Sequence, residues 1–335
     1  MSENQRGGAI GRGMQRTTSI SSASLIHRSN RPLGKTLLLS SLFAVAALGC
    51  AQEEEPADGL AKAIPTPEQV AIKVPKGQTR AIGQVADFYS DTRAAADEIN
   101  SSAAWALMMV RSALEGPAQA SDGKITSWGP WTSDGVDYKL VVTNLANGGY
   151  EYLLTGRQTS RGGAFETLIS GTTIPGATED TGRGQLTVDF DADERIDPSG
   201  RTETGKITLK YDLAQRSLEV DVTSLEGGVS SSLHHAYKGA ADGGGELTFA
   251  VRRNTDGGGQ AESVAVRSRW QASGAGRGDA RISGGDVDQA EVTSSQCWDS
   301  QFKLTYSITQ VGPVSDPEGT PGSCVFASAE LPPRS

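Results

Sequence analysis

From Gly123 onward, apolar residues recur at every second position, and this period limits the possible folds more than any other feature of the chain. Val136, Tyr138, Leu140 and Val142 alternate with polar neighbours, as do Leu186, Val188 and Phe190. The same holds for Ile207, Leu209, Tyr211 and Leu213, then Leu218, Val220 and Val222, then Leu247, Phe249 and Val251. Val264, Val266 and Trp270 continue it, and Phe302, Leu304, Tyr306 and Ile308 close it. Each run reads as a strand with one apolar face and one wet face. Turn pairs separate the runs: Asp134-Gly135, Asn147-Gly148-Gly149, Arg161-Gly162-Gly163, Glu226-Gly227-Gly228, Asp242-Gly243, Asp256-Gly257 and Ser283-Gly284-Gly285. Such short connections force neighbours in sequence to pair, which predicts an antiparallel meander of about a dozen strands. Parallel sheets are covered on both faces, so a wet face on nearly every strand argues against an α/β fold.

Before the sheet the period changes to 3.6. Phe88, Thr92, Ala95, Ala96, Ile99, Ala103, Ala106 and Val110 share one side of a helix expected over 81–117, ended by Gly116-Pro117, with Asn100-Ser101-Ser102 as its weak point. A one-sided sheet must close on itself or curl over another element. We therefore expect a mainly β (α+β) fold: a large curved antiparallel meander, an open or nearly closed half-barrel, with the helix on its concave apolar face. Helix and 118–330 would form one globular unit.

Upstream of the helix, Leu37–Gly49 is an apolar run of thirteen residues preceded by Arg28, Arg31 and Lys35. A membrane-spanning helix needs about 20 residues, so the run has the length of a signal-peptide core. It ends in Ala47-Leu48-Gly49-Cys50, which resembles the bacterial lipobox. That resemblance implies cleavage before Cys50, acyl chains on Cys50 and attachment to a membrane of the cell envelope, with Ala51 implying the outer membrane. A cleaved signal without lipid is the alternative. Residues 1–49 would then be signal peptide. Residues 50–80, carrying Glu53-Glu54-Glu55 and Pro56, Pro65, Pro67 and Pro75, would be a flexible lipidated tether. Residues 1–49 hold six basic residues and one acidic one, so a chain of net charge −9 becomes a mature part near −14. A chain so acidic repels nucleic acid.

After Cys50 only Cys297 and Cys324 remain, and in an oxidising compartment they read as a disulfide. No cofactor is expected. His234 and His235 are adjacent on a strand and point to opposite faces, so they cannot chelate one metal ion together. Asp189-x-Asp191-x-Asp193 followed by Asp197 begins like a calcium loop, but Glu194 and Gly200 stand where the loop requires Gly and a bidentate Glu. Gly200–Lys206 spells most of a phosphate loop, yet a strand rather than a helix follows it. Arg277-Gly278-Asp279 matches an integrin-binding tripeptide, for which chance is the better account. There is no G-x-S-x-G elbow and no H-E-x-x-H.

Ser295-Gln-Cys-Trp-Asp299, Phe302-Lys-Leu-Thr-Tyr306 and Ser323-Cys-Val-Phe326 together resemble exported lipoproteins of the myxobacterial kind. This resemblance brings no site residues with it. In architecture the expected fold is similar to envelope lipoproteins that carry lipid or acyl chains in a half-barrel beneath helices. Three functions follow as expectations. The first is a non-catalytic binding or structural module that meets the membrane through Cys50 and an envelope protein through its body. The second is a carrier holding a hydrophobic small molecule against Trp105, Met109, Phe190 and Phe249. The third is an envelope hydrolase.

Overall fold

A computed structural model describes residues 56–76, 84–197, 204–226, 229–253, 260–285, 287 and 292–333. The signal segment, Cys50 and most of the phosphate-loop stretch lie outside the described residues.

Three helices come first: α1 (Pro56–Ala63), α2 (Pro67–Val70) and α3 (Asp87–Leu114). Then follow strands β1 (Ala120–Ser121), β2 (Ile125–Ser133), β3 (Val136–Asn144), β4 (Tyr150–Gln158), β5 (Glu166–Ile174) and β6 (Arg183–Asp189). A short helix α4 (Phe190–Ile196) precedes β7 (Lys206–Asp212), β8 (Ser217–Glu226), β9 (Val229–Gly239) and β10 (Gly245–Arg253). The sheet finishes with β11 (Glu262–Trp270), β12 (Gly276–Ser283), β13 (Val292–Trp298), β14 (Leu304–Val311) and β15 (Val314–Gly319).

The fifteen strands form one antiparallel sheet whose spatial order is the sequence order, so each strand pairs with its neighbours in sequence, and β1 is not paired with β15. At the β2–β3 turn Asp134 and Gly135 have φ of 49° and 83°, the positive pair that a two-residue turn needs to match the strand twist. Alternation holds along the strands: Leu140, Val142, Leu154, Leu186, Leu209, Val220, Phe249, Val264 and Val266 all face one buried core. Register shifts at Trp128/Trp131, Leu154/Thr155 and Cys297/Trp298 interrupt the ladder, and one strand pair is short. β9 and β10 pair from Ala236↔Thr248 to Gly239↔Gly245.

Helix α3 crosses the strands rather than following them. Near its start the Phe88 N–H donates to Gln296 of β13, and just past its end the Gly116 carbonyl accepts from Trp128 of β2. A helix of 28 residues spans about 42 Å. Helix and strands bury their apolar faces in one common core.

Two expectations about this layer need correction. Asn100-Ser101-Ser102 is no weak point. α3 runs unbroken through it, and the Asn100 amide holds both the N–H and the carbonyl of Ile72. Nor is the part of 50–80 that is described a tether. Pro56 and Pro67 open helices, where the missing N–H costs nothing, instead of preventing them. Leu60, Ile64, Val70 and Ile72 are buried in the common core, and Arg111 of α3 donates to the carbonyls of Ala61 and Ile64. Phe190, expected on a strand, is the first residue of α4, because the Asp189 carboxylate caps the Ala192 N–H and starts a helix.

Candidate functional site

The side chains with the densest polar chemistry lie on the sheet face away from α3. On β11 and β12, Val264, Val266, Ser268, Gly278 and Ala280 point inward, so Arg267, Arg269, Arg277, Asp279 and Arg281 point outward. Such charges would normally be solvated, but Arg269, Arg277 and Asp279 are buried. Their cover is the segment that follows a 3₁₀ turn at Pro321–Ser323, which has no helix or strand of its own up to residue 333. The Cys297–Cys324 disulfide fixes one end of it to β13.

Asp279 is the hub. Its Oδ1 accepts from Arg277 Nε at 2.7 Å and from the Ser295 hydroxyl at 2.7 Å. Its Oδ2 accepts from Arg269 Nη2 at 3.1 Å and from the Glu330 backbone N–H at 2.9 Å. Four donors on one buried carboxylate offset the cost of taking it out of water. The arginines bind the cover in turn. Arg269 donates to the Ser328 carbonyl and pairs with Glu330. Arg277 reaches the Phe326 and Ala327 carbonyls, and Arg281 the Pro332 carbonyl. Arg267 bridges Glu246 at 2.8 Å and Glu330 at 3.1 Å, and Glu246 first of all raises its already high pKa. The Phe326 ring lies 5.0 Å from the Arg269 guanidinium carbon, a cation–π contact. Chemically, this surface recognises an extended backbone together with one carboxylate.

The residues singled out from sequence fall in three groups. Trp105 stacks on Phe190 with ring centroids 6.3 Å apart, joining α3 to α4. Phe190 and Phe249 belong to the continuous core, with Trp105 and Met109 packed against it. The four acidic residues do not converge: Asp189 caps α4 and pairs with Lys206 at 2.8 Å, Asp191 accepts from the Gly205 N–H, Asp193 lies within α4 and Asp197 ends it. Burial opposes ionisation of Asp189, yet Lys206 and the Ala192 N–H hold its carboxyl below the usual range. Among the described residues no group of three His, Cys, Asp or Glu side chains is placed to hold a metal ion. His234 and His235 do face opposite ways. His234 bonds the exposed Asp221 at 2.7 Å, which lowers that carboxyl's pKa, while His235 turns into the sheet.

Arg277-Gly278-Asp279 is not a displayed loop motif, since both charged residues are buried on a strand. The signal that marks the network is the i, i+2 spacing of charge, Arg267-x-Arg269 and Arg277-x-Asp279-x-Arg281, on two strands joined by a hairpin. Reading Arg277 to Asp279 as a tripeptide hides that spacing. Comparison with protein families, with curated proteins and with solved structures finds no match to this chain.

Proposed function

We propose that this chain is an exported, lipid-anchored protein of the cell envelope that works as a non-catalytic binding or structural module. The observation that carries this reading is the Cys297–Cys324 disulfide, which ties residue 324 to β13 beside the charged network. Structural disulfides belong to oxidising compartments outside the cytoplasm, and the Leu37–Cys50 segment supplies the route and the anchor. The outer face of β11–β13 supports binding as the activity, because its arginines are arranged around backbone carbonyls and a carboxylate rather than around a reacting centre.

A hydrophobic carrier is the alternative reading, and the packing of Phe190, Phe249, Trp105 and Met109 into one core weighs against it. Native mass spectrometry of protein from its own cells separates the two, since a carrier arrives with lipid bound.

Intact-mass analysis of protein extracted from membranes tests the anchor. The expected result is a chain starting at Cys50 and bearing acyl chains, with both features lost in Cys50→Ala. An unmodified Cys50 in the purified protein overturns the lipid-anchored reading.

A further inference from the structure

We propose that the outer face of β11–β13 is a binding site for an extended acidic peptide, and that residues 325–333 of this chain occupy it in cis. This rests on the binding-module reading above and names its site. The acyl chain on Cys50 is measured separately, so failure of one leaves the other standing.

The covering segment is held as a ligand is held. Its contacts on β11 and β12 are made by side chains, and its backbone is not a sixteenth strand. Carbonyls of Phe326, Ala327, Ser328 and Pro332 each meet a guanidinium, the Glu330 N–H meets Asp279, and the Glu330 carboxylate meets Arg267 and Arg269. Pro332 is buried, whereas the Glu330 side chain remains 44% exposed. Arg267 and Arg269 both turn to the Glu330 carboxylate, so two guanidiniums converge on one acidic side chain of the segment. That convergence selects for a carboxylate at this position.

A permanent cover would be more stable if it were apolar. Desolvating charges costs about as much as their pairing returns, and what a charged contact adds is selectivity and the ability to exchange. The disulfide supplies the remaining element. By tethering residue 324 to Cys297 it keeps the segment at high effective concentration over the site, which excludes a free competitor while the bridge is closed.

The test uses the full chain with Cys297→Ser, Cys324→Ser and Glu330→Gln, so that the internal segment is both untethered and weakened. The probe is a fluorescent synthetic peptide with the sequence of residues 325–333, read by anisotropy. We expect saturable binding to the triple variant, at least about tenfold weaker binding to the oxidised wild type, and a loss of about tenfold or more when the peptide carries Gln at the Glu330 position. Equal binding to wild type and variant, or equal binding of the two peptides, overturns the proposal. Should the triple variant fail to fold, hydrogen exchange on the wild-type protein decides. After treatment with a dithiol, the Glu330 amide should exchange about tenfold or more faster while β11–β13 stay protected. Unchanged Glu330 protection, or protection lost throughout β12, overturns the proposal equally.

Discussion

Arg277 Nε donates to Asp279 Oδ1 at 2.7 Å, and the residue between them, Gly278, faces the other side of the sheet against Phe88 of α3. One strand thus carries two unlike demands at successive positions. Outward it needs charge, and inward it needs the absence of a side chain.

The outward demand is testable through Asp279→Asn. The substitution keeps shape and volume but leaves Arg269 and Arg277 buried beside a neutral amide. Breaking a buried pair from one side costs about 3–5 kcal/mol. Urea denaturation should show a lower midpoint with little change in slope.

The inward demand is testable at Gly278. A Cβ built there lies 2.8 Å from Phe88 Cβ, an atom fixed to the α3 backbone that cannot swing aside. Gly278→Ala should cost about 1–3 kcal/mol by overpacking. The double variant Gly278→Ala/Phe88→Ala should be more stable than the sum of its single losses predicts, by about 1 kcal/mol in a denaturant cycle.

Much of the architecture could be read from alternation, because a strand with one wet face declares its period residue by residue. The meander follows from it together with the Gly-containing turn pairs, while the Cys297–Cys324 pairing follows from the cysteine count. β12 stayed hidden, since Gly276-Arg-Gly-Asp-Ala-Arg offers no large apolar residue to keep the beat. Its inward positions are small because Phe88 and Trp298 approach them, a tertiary fact absent from the local pattern. The charged network shares this cause: whether an outward arginine is solvated or buried depends on a segment about fifty residues further along.

In the stretch before α3, Pro56 and Pro67 stand at helix starts, where proline is accommodated, so proline alone does not mark a tether there. Leu60 of α1 is fully buried, and the carbonyls of Ala61 and Ile64 beside it accept from Arg111. Leu60→Ala should therefore lower the stability of the whole domain by about 2–5 kcal/mol, as core truncations do. A flexible tether would tolerate that change with no shift in the urea midpoint.

His235 makes stability depend on pH. Burial first of all, then the neighbouring charge of His234, lowers its pKa from 6.5 to about 4, with Asp221 opposing. Its Nδ1 is buried and finds no partner among the described residues. In the unfolded chain the imidazole takes a proton near its ordinary pKa, whereas in the folded chain it resists until about pH 4. Below about pH 6.5 the unfolded state therefore binds more protons, and falling pH favours unfolding. The neutral form's contribution is complete above about 6.5, shrinks as pH falls, and is gone at about 4, a total on the order of 3 kcal/mol. Several carboxyls with lowered pKa, Asp137, Asp189 and Asp221 among them, add their own acid sensitivity at lower pH. His235→Leu isolates the imidazole. Urea midpoints measured from pH 7 to pH 4.5 should fall steeply in the wild type and much less in the variant, and parallel curves would show that this side chain does not carry the effect.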